Sequence, residues 1–147
     1  MKIGIVQRQN LLAAQSVAAS TALVDVTDFT VPVVAGATYR FYLHVPFTLG
    51  ATGGFKFRLE IPAATNYVNS QVVLDGVTAL PGAVECAVIT AEADFANALA
   101  VAGNHIMTME GELIPSAAGV MKLQFACNSA ANAIALIRGA YFEVTTL

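Results

Sequence analysis

Charge is what this sequence has least of. Only 12% of its 147 residues are Asp, Glu, Lys or Arg, while 56% are hydrophobic; ordinary soluble domains carry roughly 25% and 45–50%. Too little charge is present to coat a lone monomer, so the chain is expected either to enter a membrane or to bury surface in an assembly. A spanning helix needs about 20 mostly apolar residues. The stretches from Gln9 to Val24 and from Leu123 to Ile137 lack charge but are shorter and carry Gln, Asn, Ser and Thr. Tryptophan is absent and aromatics make up 8%, which leaves little for the aromatic girdle of a transmembrane barrel. Burial against other subunits is therefore the favoured explanation, with no membrane partner.

Other scarcities exclude chemistry. Two cysteines, Cys86 and Cys127, are too few to frame a small secreted fold, and their positions on inward strand faces favour buried free thiols over a disulfide. The seven basic residues are scattered and the net charge is -3, so no basic footprint for nucleic acid exists. His44 and His105 are the only histidines, and neither has Cys, Asp or Glu at ligand spacing, so no metal or other cofactor is expected. No serine sits in a Gly-x-Ser-x-Gly elbow, and Gly50-Ala-Thr-Gly-Gly54 lacks the Lys-Ser/Thr ending of a phosphate-binding loop. Glu110 and Glu112 share one strand face, as an acid/base pair would, but a solvent-facing strand carries such pairs without catalysis and Lys122 offers a partner. No apolar h-region follows Met1-Lys-Ile-Gly-Ile-Val, which points to cytoplasmic synthesis without a secretory signal.

What is present is alternation. His105, Met107, Met109, Gly111 and Leu113 share one parity, as do Met121, Leu123, Phe125 and Cys127, with the turn Pro115-Ser-Ala-Ala-Gly119 between them. Period two means strand. Read as a hairpin, the register sets Leu113 against Met121, Met109 against Phe125 and Glu112 against Lys122. After the turn from Asn128 to Asn132, a strand from Ile134 to Thr145 carries a bulge or kink at Gly139. Tyr39, Phe41, Leu43 and Val45 oppose Arg40, Tyr42 and His44; Phe55, Phe57, Leu59 and Ile61 oppose Lys56, Arg58 and Glu60. As a direct hairpin these strands pair Arg40 with Glu60 and set Arg58 over Tyr42; in opposite sheets those pairs vanish. A strand from Ala22 to Val33 changes face near Asp28, since Val24 and Val26 share one parity and Phe29, Val31 and Val33 the other. Asn66 to Asp75 and Val84 to Thr90 are further strands around turns at Asp75-Gly76 and Pro81-Gly82, and Ala91 to Ala102 reads as a connection. The sum is an all-β antiparallel sandwich, jelly-roll-like, of about eight strands. Residues 1–21 read as an N-terminal arm and 22–147 as a single domain.

Val33-Val-Ala-Gly-Ala-Thr-Tyr-Arg-Phe41, Gly53-Gly-Phe-Lys-Phe-Arg-Leu59, Gly111-Glu-Leu-Ile-Pro115, Gly119-Val-Met-Lys-Leu-Gln-Phe-Ala126 and Arg138-Gly-Ala-Tyr-Phe-Glu-Val144 resemble small structural proteins of tailed-phage virions over about residues 29–147. The resemblance implies a non-enzymatic β-sandwich on the virion, as a head decoration (cement) protein or a tail component. It also implies a homo-oligomer, often a trimer, with the major capsid protein or other virion proteins as partners. The alternative is a tail or fibre module that binds a host receptor or carbohydrate. Ile3, Ile5, Val6, Leu11 and Leu12 of the arm are the expected subunit or capsid contacts.

Overall fold

The computed structural model describes residues 4–50, 54–75, 83–97 and 102–147. Twelve strands run in chain order: β1 (Ile5–Asn10), β2 (Gln15–Ala18), β3 (Val24–Val33), β4 (Tyr39–Leu49), β5 (Phe55–Glu60), β6 (Ala64–Asp75), β7 (Ala83–Ile89), β8 (Phe95–Asn97), β9 (Gly103–Pro115), β10 (Gly119–Cys127), β11 (Ala133–Leu136) and β12 (Tyr141–Thr146). They form two antiparallel sheets. β1 and β2 pair with β12 and β11 respectively, so each couple behaves as one broken ribbon.

Taking those couples as single ribbons exposes a nested order. First pairs with last (β1/β2 with β12/β11), β3 with β10, β4 with β9 and β5 with β8. The chain is one long hairpin rolled up, sealed where β12 and β11 meet β4 and where β10 meets β5. This is a jelly roll of eight ribbons. The hairpin β6–β7 is inserted between β5 and β8 and extends the larger sheet beyond β9.

Rolling overturns one sequence expectation and decides another. β9 and β10 do not pair: the turn at 116–118 carries the chain from the larger sheet to the smaller. Leu113 and Met121 both face the core, from opposite sheets, which is why alternation alone fits a hairpin equally well. The Glu112–Lys122 pair is therefore corrected. Glu112 lies opposite Arg40 on β4, and Lys122 opposite Glu60 on β5. β4 and β5 also belong to opposite sheets, so neither Arg40–Glu60 nor Arg58 over Tyr42 occurs.

The face change near Asp28 and the break at Gly139 agree with the structure, while Gly76, Pro81 and Gly82 of the expected turns lie outside the described residues. Between Gln124↔Asp25 and Lys122↔Thr30 the pairing of β3 with β10 shifts register. That bulge lets Val26 and Phe29, of opposite parity, both be buried. The kink at Gly139 is real too: Leu136 opposes Phe47 and Tyr141 opposes His44, so four residues on one side face two on the other. Gly139 takes φ 97° in that turn, a backbone region that favours glycine. Residues 91–102, read as a connection, contain the short strand β8, whose Phe95 is buried. Rings from the two sheets meet in the core, Phe47 lying 5.6 Å from Phe55 and 5.3 Å from Phe57, and within the smaller sheet Phe55 lies 5.5 Å from Phe95.

Candidate association surfaces

Residues 5–18, read as an arm, are strands of the larger sheet, and this separates the expected contact residues. Ile5, Val6 and Leu12 are 67%, 57% and 72% exposed, whereas Leu11 is 2% exposed and belongs to the core. Leu11 is thereby corrected: its side chain is spent within this chain, and its backbone closes the ribbon break through Leu11 N–H to Ala140 O at 2.9 Å. Ile3 lies outside the described residues.

Ion pairs lie on the outer faces of both sheets. On the larger sheet Arg40 Nε lies 4.0 Å from Glu112 and Arg8 Nη1 3.9 Å from Glu143. The Arg8 guanidinium sits 3.9 Å from the Tyr141 ring centroid, and Tyr141 lies 5.9 Å from Tyr42 and 5.3 Å from His44. Burial, then the neighbouring Tyr141 and Glu110, push the Tyr42 hydroxyl up from its ordinary value. On the smaller sheet Lys122 Nζ bridges Asp25 at 3.1 Å and Glu60 at 3.2 Å, while Arg58 Nε meets Asp94 at 2.6 Å. Hydrogen bonds from Gln124, then Lys122, hold the Asp25 carboxyl below its ordinary value, and the bonds to Asp25 and Glu60 raise Lys122.

Among the described residues, the turns and strand ends at one end of the sandwich carry no charged side chain. That end is built from the turn at 34–38, the β5–β6 connection, the sheet-to-sheet turn at 116–118, the start of β1 and the end of β12. Hydrogen bonds tie these pieces into one surface: Gly36 N–H to Pro115 O at 2.8 Å, Ser116 N–H to Ala63 O at 2.8 Å and Leu147 N–H to Thr38 O at 2.9 Å. Ile5, Val6, Val34, Val120 and Leu147 are all exposed there. Residues 4–7, 32–39, 61–67, 113–121 and 144–147 contain no Asp, Glu, Lys, Arg or His. The sequence signal for this surface is the composition of its turns, Val34-Ala35-Gly36-Ala37, Pro62-Ala63-Ala64 and Ser116-Ala117-Ala118-Gly119. Exposed turns are usually rich in Asn, Asp and Ser; these are alanine.

The residues weighed for chemistry are dispersed. Glu110 and Glu112 line a shallow hollow of about 400 Å³ with Arg40, Val68 and Ser70, and Glu112 accepts a hydrogen bond from Asn66 Nδ2 at 3.3 Å. His44 is half-buried on the outer face against Tyr141. His105 is buried, 5.4 Å from Phe47. Among the described residues no three His, Cys, Asp or Glu side chains gather as metal ligands. Cys127 is buried and free, its thiol 3.5 Å from Val17 O and 3.4 Å from Asn132 O. Cys86 lies on β7 opposite Val72, its thiol outside the described part.

No protein-family model matches the chain, and no curated protein matches it significantly. Among solved structures it is similar to that of infectious bursal disease virus Gx strain, at 12% identity and a TM-score of 0.23, over 99% of this chain and 38% of that one. It is likewise similar to the infectious bursal disease virus VP2 subviral particle, at 9% identity and a TM-score of 0.23, over 97% of this chain and 37% of that one. The chain thus spans well under half the length of either.

Proposed function

We propose that this chain is a non-enzymatic structural protein of a virion that acts by associating with other subunits, as a head decoration (cement) protein of a tailed phage. One observation carries the reading. Among the described residues the sandwich presents an end whose turns and strand ends carry no charged side chain, on which Ile5, Val6, Val34, Val120 and Leu147 are exposed. Such a surface is costly in water and stabilising once covered. The phage resemblance in the sequence supplies the class of partner, the major capsid protein or another virion protein. Cementing is linkage: a protein that binds only the assembled shell stabilises the shell.

Co-sedimentation with empty phage heads tests this. Binding to heads, with a higher temperature of head disruption, is the expected result; no binding to heads at any concentration overturns it. A second reading, a tail or fibre module for a receptor or carbohydrate, draws on the ring group Tyr42, His44 and Tyr141 on the outer face. The Arg8 guanidinium over Tyr141 occupies one face that a sugar would need, so this reading stands second. A glycan-array hit lost in Tyr42→Ala would reverse the order.

A further inference from the structure

One segment can leave the sandwich without unpairing any other. We infer that the ribbon of residues 5–18 is a strand-exchange element, which swings out at Ala19 and takes the place of a second copy's ribbon against that copy's β12 and β11. This rests on the associating role proposed above and names a contact by which copies join.

Three observations carry it, and pairing is the first. Among the described residues β1 pairs only with β12 and β2 only with β11, while β12 and β11 each keep β4 on their other side. Removing the ribbon therefore leaves every other ladder intact and opens one edge. That edge selects its occupant, because its register is already that of β1 and β2, and a second copy carries the same ribbon.

The second is how lightly the ribbon is held. Of residues 4–18 only Leu11 and Val17 are buried, and Ile5, Val6 and Leu12 are exposed, whereas β4 buries every second residue from Tyr39 to Leu49. Its ties to the smaller sheet use side chains. Gln9 bonds Thr30, Gln15 bonds Asp25 and Thr27, Leu12 N–H donates to the Asp28 carboxylate at 3.2 Å, and the Cys127 thiol donates to Val17 O at 3.5 Å. A segment that buries so little opens at low free energy.

The third is the hinge. Ala19 has φ 52°, the left-handed region that strains a residue with a Cβ. The two residues after it are fastened, Ser20 O accepting from Cys127 N–H at 3.1 Å and Thr21 O from Lys56 Nζ at 3.1 Å, so the turn is confined to Ala19. In a reciprocal exchange every ladder bond re-forms in the other copy and the strained turn opens in both, the condition under which short connections swap.

The test is Arg8→Cys/Glu143→Cys, which replaces an exposed pair at opposite positions of β1 and β12, within disulfide range. The variant is refolded from urea over a range of concentrations, diluted and oxidised, and the bond is mapped. A closed copy gives a monomer linked within its chain; an exchanged pair gives a covalent dimer linked through the same two positions. The expected result is a dimer fraction that rises with refolding concentration, with a midpoint moved about tenfold upward by adding Ala19→Gly, which relieves the turn. Monomer at every concentration overturns the inference, as does a midpoint that Ala19→Gly leaves in place. Val6→Cys/Thr145→Cys, at the neighbouring position of the same ladder, repeats the measurement should the first variant fold poorly. Head co-sedimentation of the wild type separates the two proposals. Head binding by a chain that never exchanges refutes this contact alone; failure to bind heads refutes the structural role whatever the linkage.

Discussion

The two long rims of the sandwich are closed by different polar chemistry. Along the first, the side chains of Gln9 and Gln15 reach from the larger sheet to the free edge of β3. Gln9 donates to Thr30 O at 2.5 Å and accepts from Thr30 N–H at 2.6 Å; Gln15 donates to Asp25 O at 2.8 Å and accepts from Thr27 N–H at 3.0 Å. Each primary amide replaces one residue of a missing β partner, and an edge that would otherwise recruit another chain is blunted. Along the second rim the larger sheet is wider, and three of the inward positions of β6 are the polar residues Tyr67, Asn69 and Gln71, followed by Val73. These bond along their own strand: Asn69 Nδ2 donates to the Tyr67 hydroxyl and Gln71 Nε2 to Asn69 Oδ1 at 2.9 Å. Gln71 Oε1 is buried without a partner among the described residues. The first rim joins two sheets through bonds that water can reach; the second stiffens one sheet with bonds that water cannot.

The sharpest way to break the second rim is at Gly111. A Cβ there would lie 2.2 Å from Val68 O, 2.6 Å from Phe41 Cζ and 2.8 Å from Asn69 Cα. Two of those atoms are backbone, and the third belongs to a ring stacked 6.2 Å from Tyr67 at 18°. None can yield cheaply. Gly111→Ala is expected to cost ~2–4 kcal/mol by overpacking, read as a lower urea midpoint at unchanged slope; an unshifted midpoint would show that the strand tolerates the methyl group.

On the first rim, Gln9→Leu and Gln15→Leu remove bonds that water replaces in part. Each is expected to cost ~0.5–1.5 kcal/mol, with faster amide hydrogen exchange at Thr30 in one and at Thr27 in the other. If both amides stay protected, the glutamines are not what closes the edge. The ladder behaves otherwise. Asn69→Leu alone strands Gln71 Nε2 and removes the donor to Tyr67, and Gln71→Met alone strands Asn69 Oδ1, whereas the double variant leaves neither partner of that bond stranded. The double should be more stable than the sum of the singles predicts, by ~1 kcal/mol. A strictly additive cycle would show that the ladder is not a unit.

How much of this the sequence discloses depends on whether the signal is local. Parity is local, so Tyr39, Phe41, Leu43 and Val45 of β4 and the inward residues of β5, β9 and β10 are legible, as are the face change around Asp28 and the break at Gly139; residues 46–54 read as a Gly-rich loop, whereas β4 continues to Leu49 and buries Phe47 and Leu49. Partnership is not local. The hairpin of β9 with β10 and the Glu112–Lys122 pair were plausible because Leu113 and Met121 face one core in either arrangement. Residues 5–18 looked like an arm because Gln9 and Gln15 occupy inward positions, which breaks the apolar alternation; their partners on β3 are 21 and 10 residues away. The charge-free end was legible only as a global shortage of charge. Its assembly from five separate segments needs the fold.

The two rims are also expected to fail at opposite ends of the pH scale. Asp25 sits on β3, at the rim clipped by Gln15, and its carboxyl is held below the ordinary value by Gln124 and Lys122. A depressed carboxylate contributes stability that is present above its unfolded pKa and is lost as pH falls through the lower folded value. Asp25→Asn should therefore flatten the acid limb of the stability curve below about pH 4. Tyr67, on the other rim, is pushed up to about 12, chiefly by burial, from 10.0. A raised group contributes stability that is complete below its unfolded pKa and disappears as pH climbs to the folded one, so that window runs from pH 10 to about 12. Tyr67→Phe cannot ionise and should flatten the alkaline limb in that window while leaving the acid limb unchanged. Lys122, also raised, leaves an alkaline remainder in Tyr67→Phe. Both variants should also lower the stability at pH 7, one by losing the bonds of Asp25 to Lys122 and Gln124 and the other by stranding Asn69 Nδ2, so the measurement is the shape of the curve, a urea midpoint at several pH values. Should Tyr67→Phe keep the full alkaline loss, the tyrosine is not the group that fails; should Asp25→Asn keep the acid loss, the first rim is held by its amides alone.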